Sequence, residues 1–199
     1  MTLFRRLYDW VLHWADTPYG TPALGVLAFA ESSFFPVPPD PLLMALSLSK
    51  PKRALFYAAV CSACSIIGGL LGYFIGYGLW NIVGDFFFTY LGPIGFTPEN
   101  FATVQGKYEA NAFLAIFAAG FTPIPYKVFT VAAGVFSISL GPFFLASVLS
   151  RSARFFTVAG LIFFFGPTIK RVIEKYFNLM TILFFALLLG GFLVVKYLM

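Results

Sequence analysis

Residues 31 to 40 read ESSFFPVPPD, and the sequence on both sides is almost wholly apolar. Two acids, Glu31 and Asp40, bracket Pro36, Pro38 and Pro39, and Pro41 follows at once. Proline lacks the N–H that a helix needs and collides with the turn before it, so no continuous helix passes through this stretch. The apolar run before it, Gly20 to Phe35, has 16 residues. As a helix it would reach about 24 Å at ~1.5 Å per residue, short of the ~30 Å hydrocarbon core of a bilayer. The run after it, Leu42 to Ser49, meets Lys50-Pro51-Lys52-Arg53 after only about 12 Å. Neither arm spans alone. The pair is expected to form a re-entrant hairpin whose tip is buried in protein or lines a wet cavity, where freed backbone groups find partners.

Composition sets the solvent. The chain has 199 residues, is 60% hydrophobic and 11% charged, and has a mean hydropathy of +0.88. A soluble domain of this length needs far more charge to cover its surface, so the expected class is an all-α integral membrane protein with a single domain, 1–199. The net charge is +5, with basic residues at Arg5–Arg6, Lys50–Arg53 and Lys170–Lys175. In a membrane protein such clusters report topology rather than nucleic-acid binding, and no nucleic-acid partner is expected. No basic-headed apolar run with a small-residue cleavage site opens the sequence, so no signal peptide is expected. Cys61 and Cys64 form a C-x-x-C inside an apolar helix. They read as small packing residues, with a redox pair as the alternative. His13 is the single histidine, which excludes most imidazole-base hydrolysis and any His-rich metal site. No cofactor, no metal and no catalytic residue is expected.

Along the chain, residues 1–16 carry Leu3, Leu7, Trp10, Val11 and Trp14 on one helical face and Arg5, Arg6, Asp9 and His13 on the other, an amphipathic helix for the membrane surface. Residues 20–80 form a first unit, the broken hairpin followed by a charge-free span, Ala54 to Trp80. Gly68, Gly72 and Gly76 recur in that span at every fourth position, a spacing that lets a neighbouring helix pack closely. Residues 81–110 read as a surface connection with a short helix from Pro98. In residues 111–166 the opening pattern returns: a short arm from Asn111 to Phe121, a break at Thr122-Pro123-Ile124-Pro125-Tyr126-Lys127, and a second arm from Val128 to Leu140. Pro36-Val37-Pro38 and Pro123-Ile124-Pro125 stand 87 residues apart, and the same offset carries Leu55-Phe56 onto Pro142-Phe143, where the next long apolar segment begins. Two correspondences at one offset predict an internal repeat. Because the span between the hairpins crosses once, the repeats are expected to be inverted, with the basic clusters on the cytoplasmic side and the acidic 81–110 connection opposite. Residues 178–199 are expected to form a final transmembrane helix.

Glu31, Asp40, Lys127, Arg151 and Arg154 lie within or beside segments at membrane depth. An ionised residue at the bilayer centre costs roughly 2.5–3.5 kcal/mol on insertion scales. Arg151 and Arg154 are three apart and share a helix face. The plainer reading is that these acids and bases pair to hold the two repeats together. The functional reading is a substrate and ion site at the hairpin tips, marked by Pro36, Pro38, Pro123 and Pro125, with Glu31 and Asp40 for proton coupling and Lys127, Arg151 and Arg154 for substrate binding.

These residues resemble the DedA family, also called SNARE-associated or VTT-domain proteins, and within it the YqaA-like branch. Glu31 with Pro36-x-Pro38 and Asp40 is similar to that family's E-x-x-x-P-x-P-x-[DE] pattern at slightly altered spacing. Gly68/Gly69 through Gly72-Tyr73-x-x-Gly76 is similar to its glycine-tyrosine span, and Phe121-x-Pro123 followed by Ala132-Ala133-Gly134 to its second hairpin. The likeness runs from about residue 20 to 166. It departs from the pattern at Gly120, where the family has an arginine, and at Lys127, which stands one position beyond the family's second arginine. The resemblance implies lipid translocation, linked to phospholipids or a polyprenyl-phosphate carrier and often to the proton gradient.

The leading expectation is therefore a lipid translocase, a flippase or scramblase, of the bacterial cytoplasmic membrane, with membrane lipids and protons as partners. A guanidinium or ammonium at membrane depth could bind a lipid phosphate. A proton-coupled transporter of a small solute or cation would use the same architecture. An intramembrane enzyme lacks a core histidine, a G-x-S-x-G and a ligand cluster, and a purely structural membrane protein is the plain alternative. The sequence leaves a homo-oligomer open.

Overall fold

A computed structural model describes residues 17–35, 37–91, 97–122 and 124–166. The interfacial helix at 1–16, the C-terminal helix at 178–199, the Lys170–Lys175 cluster, Pro36 and Pro123 lie outside them. Among the described residues every regular element is helical. In chain order these are α1 (Gly20–Ser33), α2 (Asp40–Ser49), a 3-10 turn (Pro51–Arg53), α3 (Ala54–Leu91), α4 (Pro98–Ala110), α5 (Ala112–Phe121), α6 (Tyr126–Val135) and α7 (Leu140–Gly166).

Local chemistry sets the ends. α1 closes at Ser33, whose hydroxyl turns back onto the Phe29 carbonyl at 2.8 Å, and the prolines that follow prevent another turn. α2 opens with Asp40 and Pro41 in its first turn, where proline's missing N–H is not needed and a carboxylate meets the positive end of the helix dipole. Thr97 caps α4 by accepting from the Asn100 amide at 3.2 Å, with Pro98 and Glu99 in the first turn and Lys107 in the last. α6 ends at Phe136 and Ser137, and Ser137 takes a left-handed φ of 52°. Pro142 sits in the first turn of α7, where it does not break the helix.

Two boundaries differ from the sequence expectation. The long helix does not stop at Trp80: α3 runs on through Leu91, so 81–91 is helix rather than surface connection. That segment holds no proline, and Asn81 and Asp85 are polar without being helix breakers. The second arm of the later hairpin is Tyr126–Val135, not Val128–Leu140, because Pro125 at an extended ψ of 97° serves as its N-cap and the Phe136–Ser137 turn ends it early.

Among the described residues two helices, α3 and α7, are long and apolar enough to cross a membrane. The 38 residues of α3 extend about 57 Å. The 10 residues of α2, α5 and α6 give only about 15 Å each. α3 is the spine. A Cβ on Gly68 would collide with the Phe29 backbone of α1, and one on Gly76 with the Val131 backbone of α6. Gly72 lies under both neighbours, facing Thr130 and the Ser32 carbonyl. From the other side of that contact, Gly134 of α6 lies against the Tyr73 carbonyl. The glycine ridge thus seats both broken-hairpin helices on one rod at backbone distance.

Two apolar cores result. One gathers Leu24, Ala28, Leu42, Leu43, Leu46, Tyr57, Cys61 and Phe155; the other gathers Tyr73, Tyr108, Ile116, Tyr126 and Phe143. Between them along α3 and α7 lies a polar layer containing Ser32, Ser65 and Arg151, all buried.

Candidate functional site

The polar layer is built from the last turn of α1, the first turn of α2, the middle of α3 and the middle of α7. Arg151 and Arg154 rise from α7 one turn apart and reach the two sides of the first helix break. Arg151 Nη2 donates to Glu31 Oε2 at 2.6 Å, and its Nε donates to Ser65 Oγ at 2.5 Å. Ser32 Oγ stands 2.6 Å from Ser65 Oγ and 3.2 Å from Glu31 Oε2, so two hydroxyls join the carboxylate to the guanidinium by a second route. The Arg151 guanidinium lies 4.8 Å from the Tyr126 ring centre and 4.7 Å from that of Phe155. Those aromatic faces are favourable for a cation withdrawn from water.

Arg154 makes the second pair. Its Nε and Nη2 meet Asp40 Oδ1 and Oδ2 at 3.1 Å each, and its Nη1 donates to the Thr122 carbonyl at 2.5 Å and the Phe121 carbonyl at 3.4 Å. These carbonyls end α5, where the helix dipole is negative and a cation is favoured. Arg154 therefore ties the start of α2 to the end of α5, one hairpin break to the other. All three of its nitrogens are committed to the chain, whereas Arg151 commits Nε and Nη2.

The pairs are largely withdrawn from solvent. Side-chain exposure is 4% and 14% for Arg151 and Glu31, and 17% and 21% for Arg154 and Asp40. Removing one partner of such a pair leaves an uncompensated charge, which costs far more than the pair contributes when intact.

Of the five charged residues singled out by sequence, four come together as these two pairs. Lys127 stands apart from them. Its Nζ donates to the Phe35 carbonyl at 3.0 Å at the exposed edge of the breaks, a further link between the two hairpins. Thr130 Oγ1 adds another by donating to the Ser32 carbonyl at 3.3 Å. Of the tip prolines, Pro125 caps α6 and Pro38 lies in the irregular segment before α2. Sequence reasoning did not single out Ser32, Ser65, Tyr126 or Thr130. A signal existed for Ser65: counting eleven residues into α3 from Ala54 puts a hydroxyl in a charge-free span at the depth of a mid-helix arginine. Cys61 and Cys64 are free thiols. Among the described residues no group of three or more His, Cys, Asp or Glu side chains is arranged to hold a metal ion.

Chemically, the layer is a balanced set of two guanidiniums and two carboxylates, bounded by hydroxyls and by the backbone carbonyls of Ser32, Phe35, Phe121 and Thr122, which accept from Thr130, Lys127 and Arg154. Planar guanidiniums can exchange a carboxylate for a phosphate with the same two-pronged geometry.

No family model matches the chain, and no solved structure matches it. Two curated relatives do. An uncharacterized protein of Haemophilus influenzae is 35% identical over 175 residues, 88% of each chain. An uncharacterized homologue of that kind in Histophilus somni is 37% identical over 164 residues, 81% of this chain and 82% of its own. At this identity over this much of both chains, the protein belongs to the same family as these two bacterial proteins.

Proposed function

We propose that this protein is a multi-pass protein of the bacterial cytoplasmic membrane that moves the phosphate headgroup of a lipid across the bilayer, of the DedA type, and that protons drive or gate the movement. The observation that carries the reading is the pairing of Arg151 with Glu31 and Arg154 with Asp40 halfway along an apolar helix, where both helix breaks meet. Polar groups at that depth are expensive, and broken helices that meet at the midplane are the usual frame of a transport site.

In this reading the two units, 20–91 and 112–166, are inverted repeats entering from opposite faces, and the short helices α1, α2, α5 and α6 are re-entrant arms. Large apolar side chains such as Phe144, Leu149, Phe156 and Leu161 point outward from α7 and suit a lipid-facing surface. The intact pairs are the resting state. A proton on Glu31 or Asp40 cancels the carboxylate's charge and releases a guanidinium. The released guanidinium then binds an anionic phosphate, so proton and lipid occupy the site together. Arg151 is the better phosphate ligand because Arg154 is also held by the α5 carbonyls.

Purified protein in liposomes of defined lipid composition, assayed for headgroup translocation with and without a pH gradient, tests this. Gradient-stimulated movement of an anionic phospholipid or a polyprenyl phosphate is the expected result. Movement of a small cation with no lipid movement would replace the reading with a proton-coupled solute transporter.

A further inference from the structure

Two buried hydroxyls are not used by the site. Ser47 Oγ and Ser62 Oγ have no hydrogen-bond partner among the described residues, and their residues are 0% and 4% exposed. A buried polar group without a partner is a site for an internal water. Their positions are related. Ser47 is seven residues beyond Asp40 on α2, hence on the same helical face, and about 10 Å further along the axis. Ser62 is three residues before Ser65 on α3, again on the same side, and about 4.5 Å away along the axis. Asp40 and Ser65 both bond arginines of α7, so both hydroxyls belong to faces turned toward α7. Beyond Arg154, α7 adds Val158 and Ala159 to the same cluster, and neither side chain can bond a hydroxyl.

Both serines also lie on the basic-turn side of the Arg151–Glu31 pair. α2 runs from Asp40 to Ser49 and α3 leaves from Ala54, so Ser62 stands about level with Asp40, and Ser47 stands nearer the basic turn Lys50–Arg53.

We propose that a file of water enters at the Lys50–Arg53 turn, runs between α2, α3 and α7 past Ser47 and Ser62, and delivers protons to Glu31 through Ser65 and Ser32. The charged and titratable groups at its head are Glu31, Asp40, Cys61, Tyr126, Arg151 and Arg154. In each hop a hydroxyl takes up one proton and gives up its own, so the net step is one proton moved from water onto Glu31 Oε2. Ser65 and Ser32 stand 2.6 Å apart and Ser32 reaches Glu31 Oε2 at 3.2 Å, which completes the last two hops. The delivery step rests on the transport reading; the water file does not.

The test is arranged to separate them. In a Cys61→Ala/Cys64→Ala background, Ser47→Cys and Ser62→Cys are compared with Leu43→Cys and Ala58→Cys, which replace fully buried apolar residues of the same two helices. Membrane vesicles of either orientation receive a small cationic methanethiosulfonate. Only a hydrated thiol ionises and reacts, so both serine-derived cysteines should label from the Lys52 side at least about 10-fold faster than the controls. Equal rates at all four positions would overturn the file, since Ser47 and Ser62 would then have turned onto their own helix carbonyls. Radiolytic footprinting of the unmodified protein serves if a variant fails to accumulate: water at the head of the file should oxidise the fully buried Cys61, and an untouched Cys61 overturns the proposal. Labelling without any lipid movement counts against the transport reading alone. For the delivery step, Ser62→Ala should leave basal lipid movement intact and abolish its stimulation by a pH gradient; retained stimulation removes that step.

Discussion

Arg154 holds Asp40 through two parallel bonds of 3.1 Å, across 114 residues of sequence, and with its third nitrogen holds the carbonyl end of α5. One side chain thus fixes both hairpin breaks. Lysine offers a point charge and cannot reproduce the fork. Arg154→Lys should therefore lower stability in detergent by on the order of 2 kcal/mol, below the fully buried value because both partners keep some exposure. The neutral double variant Asp40→Asn/Arg154→Gln should lose less than the sum of its single variants. Thermal unfolding of all four proteins checks the coupling, and strict additivity would show that the pair does not act as a unit.

Glu31→Gln alone leaves Arg151 charged in a layer where it is 3% exposed. Protein level and function should therefore fall together. The informative variant is Glu31→Gln/Arg151→Gln, which leaves no unpaired buried charge. It should accumulate as the parent does and yet fail to translocate an anionic lipid. Wild-type transport by this double variant would assign the pair to holding the helices together.

The glycines of α3 give a sharper contrast. Gly76→Ala drives a methyl into the Val131 backbone, while Gly78, two residues on, has open space around it. Overpacking at Gly76 should cost on the order of 2–3 kcal/mol because backbone cannot step aside as a side chain can. Gly78→Ala should instead stabilise by about 0.5–1 kcal/mol through helix propensity. Equal melting temperatures would mean that α6 does not sit on the ridge at backbone distance.

Much of this is legible in the sequence. Proline chemistry announces both breaks, and the four-residue glycine spacing announces the ridge. Charge expelled by a membrane interior singles out Glu31, Asp40, Arg151 and Arg154. What the sequence hid is pairing. Nothing local says that Arg151 reaches Glu31, 120 residues away, or that Lys127 bonds a backbone carbonyl instead of joining the arginines. Ser32 carries too little signal to stand out, and Ser65 offers only its depth in α3; both matter because Arg151 reaches between α1 and α3. The end of α3 was missed because polarity at Asn81 and Asp85 resembles a loop while costing a helix little.

Tyr108 gives a pH test away from the long spans. Its side chain is buried and its hydroxyl donates to the Phe129 carbonyl at 2.9 Å. Burial, with a smaller contribution from the nearby Tyr126, pushes the phenol well above its ordinary value of 10.0. The folded protein then holds a proton that the unfolded chain releases, so stability is full below pH 10 and falls as pH rises through the folded value. Melting curves from pH 8 upward should show that decline, and Tyr108→Phe should flatten it. An unchanged slope would exclude Tyr108 as its source.

Topology offers the last test. α3 carries the chain from the basic turn at Lys52 toward Glu99 over about 57 Å, nearly twice the ~30 Å hydrocarbon core. Lys52 and Glu99 are both exposed, and each belongs to a segment whose charge suits one face: basic inside, acidic outside. In the Cys61→Ala/Cys64→Ala background, Lys52→Cys should react with an impermeant maleimide only from the cytoplasmic side, and Glu99→Cys only from the other. A third marker, Leu140→Cys at the start of α7, should follow Glu99, because α7 has to return the chain. Labelling of Lys52→Cys and Glu99→Cys from the same face would make α3 a re-entrant or surface helix. The two hairpins would then enter from one side, and with them would go the inverted repeat on which the transport reading stands.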